Sequence, residues 1–257
     1  MAGIRDIEVV VFDVLGTLID EESGLRAEIR AATGSSGDVP GGESGRTSGE
    51  TPGGTSLDTS VAASGTSVDE LLALWLRHRD AEQQRIVQGL RPYADSESID
   101  AEAARRVAGK AGIDDPAAVA RLATASRRLP PWSDSVDGLG RIARSFPVLA
   151  LSNAARTALL RLDAHAGLRW HQAVSGEAVP AYKPAPEVYR LALDTAGCPP
   201  ERVLMVAAHA WDLRGAQAGG MRTAYVRRPY GEPPASSDVF DWRFSGLDEL
   251  ATALTTG

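Results

Sequence analysis

The chain has 257 residues, 43% hydrophobic and 24% charged, which is enough for one large domain or two smaller ones with a real core. Its net charge of −7 argues against nucleic acid or an anionic membrane as the main partner, although a local basic patch stays open. The one cysteine, Cys198, excludes an intrachain disulfide and a thiolate metal cluster.

The first residues lead into an apolar run at 7–12 that Asp13 interrupts early. That pattern fits neither a signal peptide nor a spanning helix, so a reducing cytoplasm is the default expectation. The run is rich in β-branched residues and reads as a buried strand, with Gly16 and Thr17 following Asp13. A long insertion comes next. Gly, Ser, Thr and Pro dominate residues 33–67, which cannot bury enough surface to offset their ordering entropy. The segment is predicted as a flexible loop, an ordered substrate lid being the alternative. Residues 68–129 are helical in character: Leu71, Leu72, Trp75 and Leu76 share a face, and 101–111 and 117–127 show similar spacing. Pro130 and Pro131 close the insertion.

Further apolar runs at 147–151, 202–207 and 223–227 alternate with helix-like stretches at 154–166, 185–196, 212–219 and 247–254. Short buried strands alternating with helices predict a parallel sheet covered on both faces. The expected architecture is an α/β core, residues 1–22 and 132–257, carrying a helical cap at 23–131.

Such sheets bind ligands at the carboxyl ends of their strands. Asp13 follows the first strand, Ser152 and Asn153 the second, and Asp212 lies just past the third run. Lys183 sits in a loop before a helix whose start Pro186 pins. Singly, these residues read as a turn aspartate, helix caps and a solvated lysine. Gathered in one crevice, they make a nucleophile, a cation that keeps it ionised, a pair of donors and a second carboxylate.

The pattern resembles the haloacid dehalogenase (HAD) superfamily and, within it, the L-2-haloacid dehalogenases (type II). FDVLGTL, LALSNA, YKPAPEVY and VAAHAWDLRGAQAGGM look like its four motifs in order, and LWLRHRD with VQGLRPY resembles the cap helix and the loop after it. The resemblance implies a HAD-like Rossmannoid parallel sheet with an inserted helical cap. It also implies hydrolytic dehalogenation of small L-2-haloalkanoic acids through an aspartyl ester. In that scheme Asp13 attacks C2, Thr17 orients it, Lys183 holds it ionised and Ser152 binds the substrate carboxylate. Asp212 activates water directly or through Lys183, Tyr189 supports that network, and Asn153 receives the halide. Substrate and water are the implied partners, no cofactor or metal is implied, and the family alone suggests a homodimer.

Leu15 divides the branches. Phosphatases of the superfamily carry a second aspartate there as general acid, and another usually stands where this chain has Ala208. Mg²⁺ demands hard oxygen ligands in near-octahedral array. A halide leaves as a stable anion and needs no proton, so Leu15 is read as a pocket residue. Three positions depart from the dehalogenase pattern. Leu76 stands where the family has its halide-binding arginine, with Arg77 about 100° around the helix and Arg79 farther on. Losing one such donor costs about 2.7–4 kcal/mol, and Arg77 or Arg79 is the candidate replacement. Ala207 and His209 replace a serine and an asparagine. His209 could donate in the asparagine's place, act as a base or pack structurally. Trp211 lines the pocket or belongs to the core. The competing functions are a phosphatase of unusual metal dependence and a degenerate, non-catalytic binding protein.

Overall fold

The computed structural model describes residues 3–34 and 65–256. Nearly all of the segment predicted as a flexible loop, residues 35–64, lies outside the described residues. The strands are β1 (Val9–Asp13), β2 (Val148–Ser152), β3 (Gln172–Ser175), β4 (Val203–Ala207), β5 (Arg222–Val226) and β6 (Trp242–Phe244). They form one parallel sheet in the order β3-β2-β1-β4-β5-β6. The chain moves outward from β1 to β3, then returns to the other side of β1 for β4. That reversal opens a crevice at the carboxyl end of β1.

Nine helices accompany the sheet among the described residues: α1 (Glu21–Thr33), α2 (Val68–Val87), α3 (Ser96–Ala111), α4 (Pro116–Ala123), α5 (Ser135–Ala143), α6 (Arg156–Ala166), α7 (Pro186–Ala196), α8 (Ala210–Ala218) and α9 (Leu247–Thr255). All five residues of β1 are buried, and their side chains alternate between two cores. Val10 and Phe12 pack with Leu139 and Ile142 of α5, Leu159 of α6 and Leu250 of α9. Val9 and Val11 pack with Val188 of α7 and Leu213 of α8.

The first core continues into the insertion through Leu25, Leu71, Trp75 and Val107. Local chemistry starts its helices. Ser67 and Glu70 form a reciprocal capping box on α2, Asp95 caps α3, and Asp115 with Pro116 opens α4. Polar ties hold the insertion over the strand ends. Tyr182 Oη donates to the Ala94 carbonyl at 2.8 Å, and the Ala155 N–H donates to Ser96 Oγ at 2.8 Å.

Several elements differ from the sequence expectation. β3 and β6 were not anticipated: β3 buries only its last two residues, and β6 is a three-residue edge strand. Neither makes an apolar run. α1 and α5 were also not anticipated; α5 carries two glycines, and a Cβ on Gly138 would meet Leu247 at 3.0 Å. The helix expected at 117–127 breaks at Thr124 into a 3₁₀ turn, Ala125–Arg127.

Candidate active site

The strand ends and the insertion enclose a cavity of about 500 Å³. Asp13, Ser152, Asn153 and Lys183 line it from the sheet side, with Leu15, Gly16, His209 and Trp211 around them. Asp13 ends β1 and is 5% exposed. Lys183 Nζ donates to its Oδ1 at 2.7 Å, and Thr17 Oγ1 donates to its Oδ2 at 2.6 Å. The Ala208 N–H donates to Thr17 Oγ1 at 2.9 Å, so the hydroxyl is an acceptor there and gives its proton to Asp13. The Thr17 carbonyl in turn accepts from Arg228 Nε at 2.9 Å.

Lys183 uses all three protons. Besides Asp13 it donates to Asp212 Oδ2 at 2.5 Å and to the Leu151 carbonyl at 3.2 Å. Burial opposes its charge, but Asp13 and Asp212 outweigh burial and hold the ammonium above the usual lysine range. Burial pushes the Asp212 carboxyl up, Lys183 pulls it down and Asp13 pushes it up again, leaving it raised. Tyr189 Oη donates to Asp212 Oδ1 at 2.7 Å, and burial followed by Asp212 holds that phenol well above its ordinary range. A Cβ on Gly215 would stand 2.3 Å from Tyr189 Oη, so glycine is what lets the tyrosine reach the carboxylate.

Asp212 is fully buried, and neither it nor Tyr189 or Thr17 lines the cavity. Tyr189 therefore braces Asp212 and does not meet the cavity. Ser152 Oγ accepts from the Ala154 N–H at 3.1 Å, and its own proton faces no acceptor among the described residues. Asn153 orients the lysine loop, accepting the Lys183 N–H at 2.7 Å through Oδ1. Its Nδ2 makes longer contacts to Gln83 Oε1 (3.3 Å) and the Lys183 carbonyl (3.5 Å).

His209 packs over the turn after Asp13. A Cβ on Gly16, whose φ is +80°, would fall 2.5 Å from His209 Nε2. The Glu232 N–H donates to His209 Nδ1 at 3.4 Å, which leaves the ring proton of the neutral tautomer on Nε2. Trp211 stacks on the His209 ring and lies 5.8 Å from Lys183 Nζ.

Of the two candidate halide arginines, Arg77 stands away from the cavity. That residue is exposed and outside the cavity lining, because the helix turns it away from the face that Trp75 buries. Arg79, four residues beyond Trp75, does line the cavity, but it is bound by Glu21 at the start of α1. Asp100 from α3 and Ser126 from the 3₁₀ turn line the same side. The sequence reading did not single out Glu21, Asp100, Ser126 or Arg228. The spacing of Trp75 and Arg79, a shared helix face, was the readable signal for the arginine. Among the described residues no group of three His, Cys, Asp or Glu side chains is placed to hold a metal ion, and no helix is long and apolar enough to cross a membrane.

Comparison with known proteins gives a consistent picture. A family model described as haloacid dehalogenase-like hydrolase matches residues 7–220. The (S)-2-haloacid dehalogenase of Pseudomonas sp. (strain YL) is 30% identical over 191 residues, covering 73% of this chain and 82% of that protein. That of Xanthobacter autotrophicus is 28% identical over 225 residues, covering 86% of this chain and 76% of the relative. Among solved structures, the L-2-haloacid dehalogenase PA0810 superposes with a TM-score of 0.78 at 27% identity, covering 98% of this chain and 100% of the other.

Proposed function

The chain belongs to the haloacid dehalogenase-like hydrolases, and from that membership we propose that it removes halide from small L-2-haloalkanoic acids by hydrolysis through an ester on Asp13. The observation that carries the reading is the setting of that carboxylate. It lines the cavity, Thr17 and Lys183 fix both its oxygens, and its neighbour two places on is Leu15. A carboxylate oriented through both oxygens beside an apolar residue suits attack on carbon with a leaving group that needs no proton.

In the first step an Asp13 oxygen attacks C2 from the side opposite the halogen. The carbon–halogen bond breaks, its electron pair leaves with the halide, and C2 inverts. In the second step water attacks the aspartyl carbonyl carbon. The bond from that carbon to the ester oxygen breaks, releasing a 2-hydroxy acid, halide and one proton overall. Ser152 Oγ, with an uncommitted proton, binds the substrate carboxylate together with backbone N–H groups near Asp13. Asp212 acts through Lys183, because it does not reach the cavity. His209 presents its Nε2 proton beside Gly16, and Asn153 Nδ2 receives the halide.

The reaction proposed uses no metal. An ammonium occupies the space between Asp13 and Asp212, at 2.7 and 2.5 Å from their oxygens, where a divalent cation would need them both. Phosphoryl transfer would also lack the acid that Leu15 replaces and the ligand that Ala208 replaces.

The test is halide release from each enantiomer of 2-chloropropionate with EDTA present, beside p-nitrophenyl phosphate turnover with Mg²⁺. Chloride release from the L-form, unaffected by EDTA, is the expected result. Phosphate-ester turnover alone would overturn the proposal.

A further inference from the structure

We propose that the insertion side of the cavity is a subsite for a protonated amine, so that the preferred substrate is a 2-halo acid carrying an ammonium group away from its reacting carbon. The inference rests on the dehalogenase reading and names the substrate class within it.

Charge is the first argument. Five carboxylates line the cavity, those of Asp13, Glu21, Glu22, Asp80 and Asp100, against two cations, Lys183 and Arg79. Neither cation is available to the insertion side. Lys183 is spent between Asp13 and Asp212, and Arg79 is bound by Glu21, with 16% and 12% of the two side chains exposed. Asp100 is left as a carboxyl only 4% exposed, with no direct ion pair of its own among the described residues. Burial accordingly pushes it up to about 7, although the Arg79 charge pulls the other way.

An unmet hydrogen bond is the second, independent argument. Ser126 is 7% exposed and lines the cavity with Asp100, yet its Oγ has no hydrogen-bond partner among the described residues. A buried hydroxyl without a partner is rare and points to a missing ligand or water. An ammonium answers both needs. It neutralises Asp100 with a charge-assisted hydrogen bond, and it gives a second proton to Ser126 Oγ. An alkyl group would leave the hydroxyl unmet and bury the carboxyl further.

The experiment compares chloride release from (S)-2-chloro-6-aminohexanoate and from (S)-2-chloroheptanoate, in which a methyl group replaces the ammonium. L-2-chloropropionate serves as the small reference. The wild-type protein is expected to favour the ammonium substrate by about tenfold or more in kcat/KM. Asp100→Asn should bring that ratio close to one, and the ratio cancels any general loss of activity. A wild-type ratio of one or below, with L-2-chloropropionate still turned over, overturns the subsite and leaves the dehalogenase reading standing. A preference that survives in Asp100→Asn overturns it too. If none of the three acids releases chloride, the dehalogenase reading fails, and calorimetric binding of 6-aminohexanoate against heptanoate decides the subsite alone. Tighter binding of the amine by about tenfold supports it, and equal or weaker binding overturns it.

Discussion

On the sheet side of the cavity the polar groups that hold Asp13 are fully engaged, whereas on the insertion side Ser126 Oγ and Trp75 Nε1 are buried without partners. Thr17 and Lys183 have no freedom left: each proton they carry already has an acceptor. A satisfied buried network is stiff and preorganised, which suits groups that must meet developing charge without rearranging. Ser126 Oγ can accept from a group that enters, whereas the Trp75 N–H would need an acceptor, which an ammonium does not supply. The proposed chemistry and the proposed selectivity thus fall on different pieces of chain, the first on the segments that follow β1, β2, β3 and β4, the second on helices inserted between β1 and β2.

The comparison is broken most directly at Asp13. Asp13→Asn removes the nucleophile and should lower halide release by on the order of 10⁴-fold or more. Its thermal unfolding should move little, because Lys183 keeps Asp212 as a partner at 2.5 Å. Turnover close to wild type would sink the mechanism.

Lys183→Met comes next. It leaves two buried carboxylates facing each other and should cost about 3–5 kcal/mol of stability. Turnover should fall by on the order of 10³-fold. Asp212, already raised by burial, then loses the downward pull of Lys183, so the lost stability should return as pH falls. In the wild type the sign is set by Lys183. Its folded pKa is raised, so its contribution is complete at neutral pH and is lost only as pH climbs beyond the ordinary lysine value of about 10.4. Urea unfolding of both proteins across pH checks this contrast.

The insertion side should show a different pH signature. Asp100, pushed up to about 7 by burial, is most stabilising below its unfolded value and loses that contribution as pH rises through 7. The loss amounts to roughly 4 kcal/mol at most by pH 8. Asp100→Asn should flatten the corresponding slope in unfolding free energy between about pH 4 and 8. An unchanged slope would mean that Asp100 finds a partner when folded.

The sheet side was the legible one. Strand β1 announces itself by its β-branched run, and a carboxylate at the end of a buried strand has few structural reasons to be there. Asp13 and Lys183 are 170 positions apart, yet the parallel topology read from alternating runs is sufficient to bring strand ends together. The insertion side depends on geometry that no local pattern carries. Ser126 faces the cavity only because the chain leaves the α-helix at Thr124, and Glu21 meets Arg79 only because α1, opened by the Asp20 cap, packs on α2. β3 and β6 were hidden for a related reason. An edge or half-exposed strand needs no continuous apolar run, so hydrophobic patterning is silent there.

The smallest expected effects lie on α2, and they test the side on which the helix presents its cations. Trp75 is 1% exposed, which fixes the rotation of the helix. Position 79 lies one turn along the same face, and position 77 does not. Arg79→Ala leaves Glu21, with 12% of its side chain exposed, without its cation, and should cost about 2 kcal/mol in urea unfolding. Arg77→Ala removes an exposed charge and should stay within about 0.5 kcal/mol of wild type. Halide release should also change by less than about twofold, the scale of such a surface change. A large loss of halide release in Arg77→Ala with Arg79→Ala nearly silent would require α2 to turn by more than a residue on binding substrate. The arginine missing at Leu76 would then be supplied by motion. Silence at Arg77 leaves the halide to Asn153 and assigns the charged groups of the insertion to the rest of the substrate.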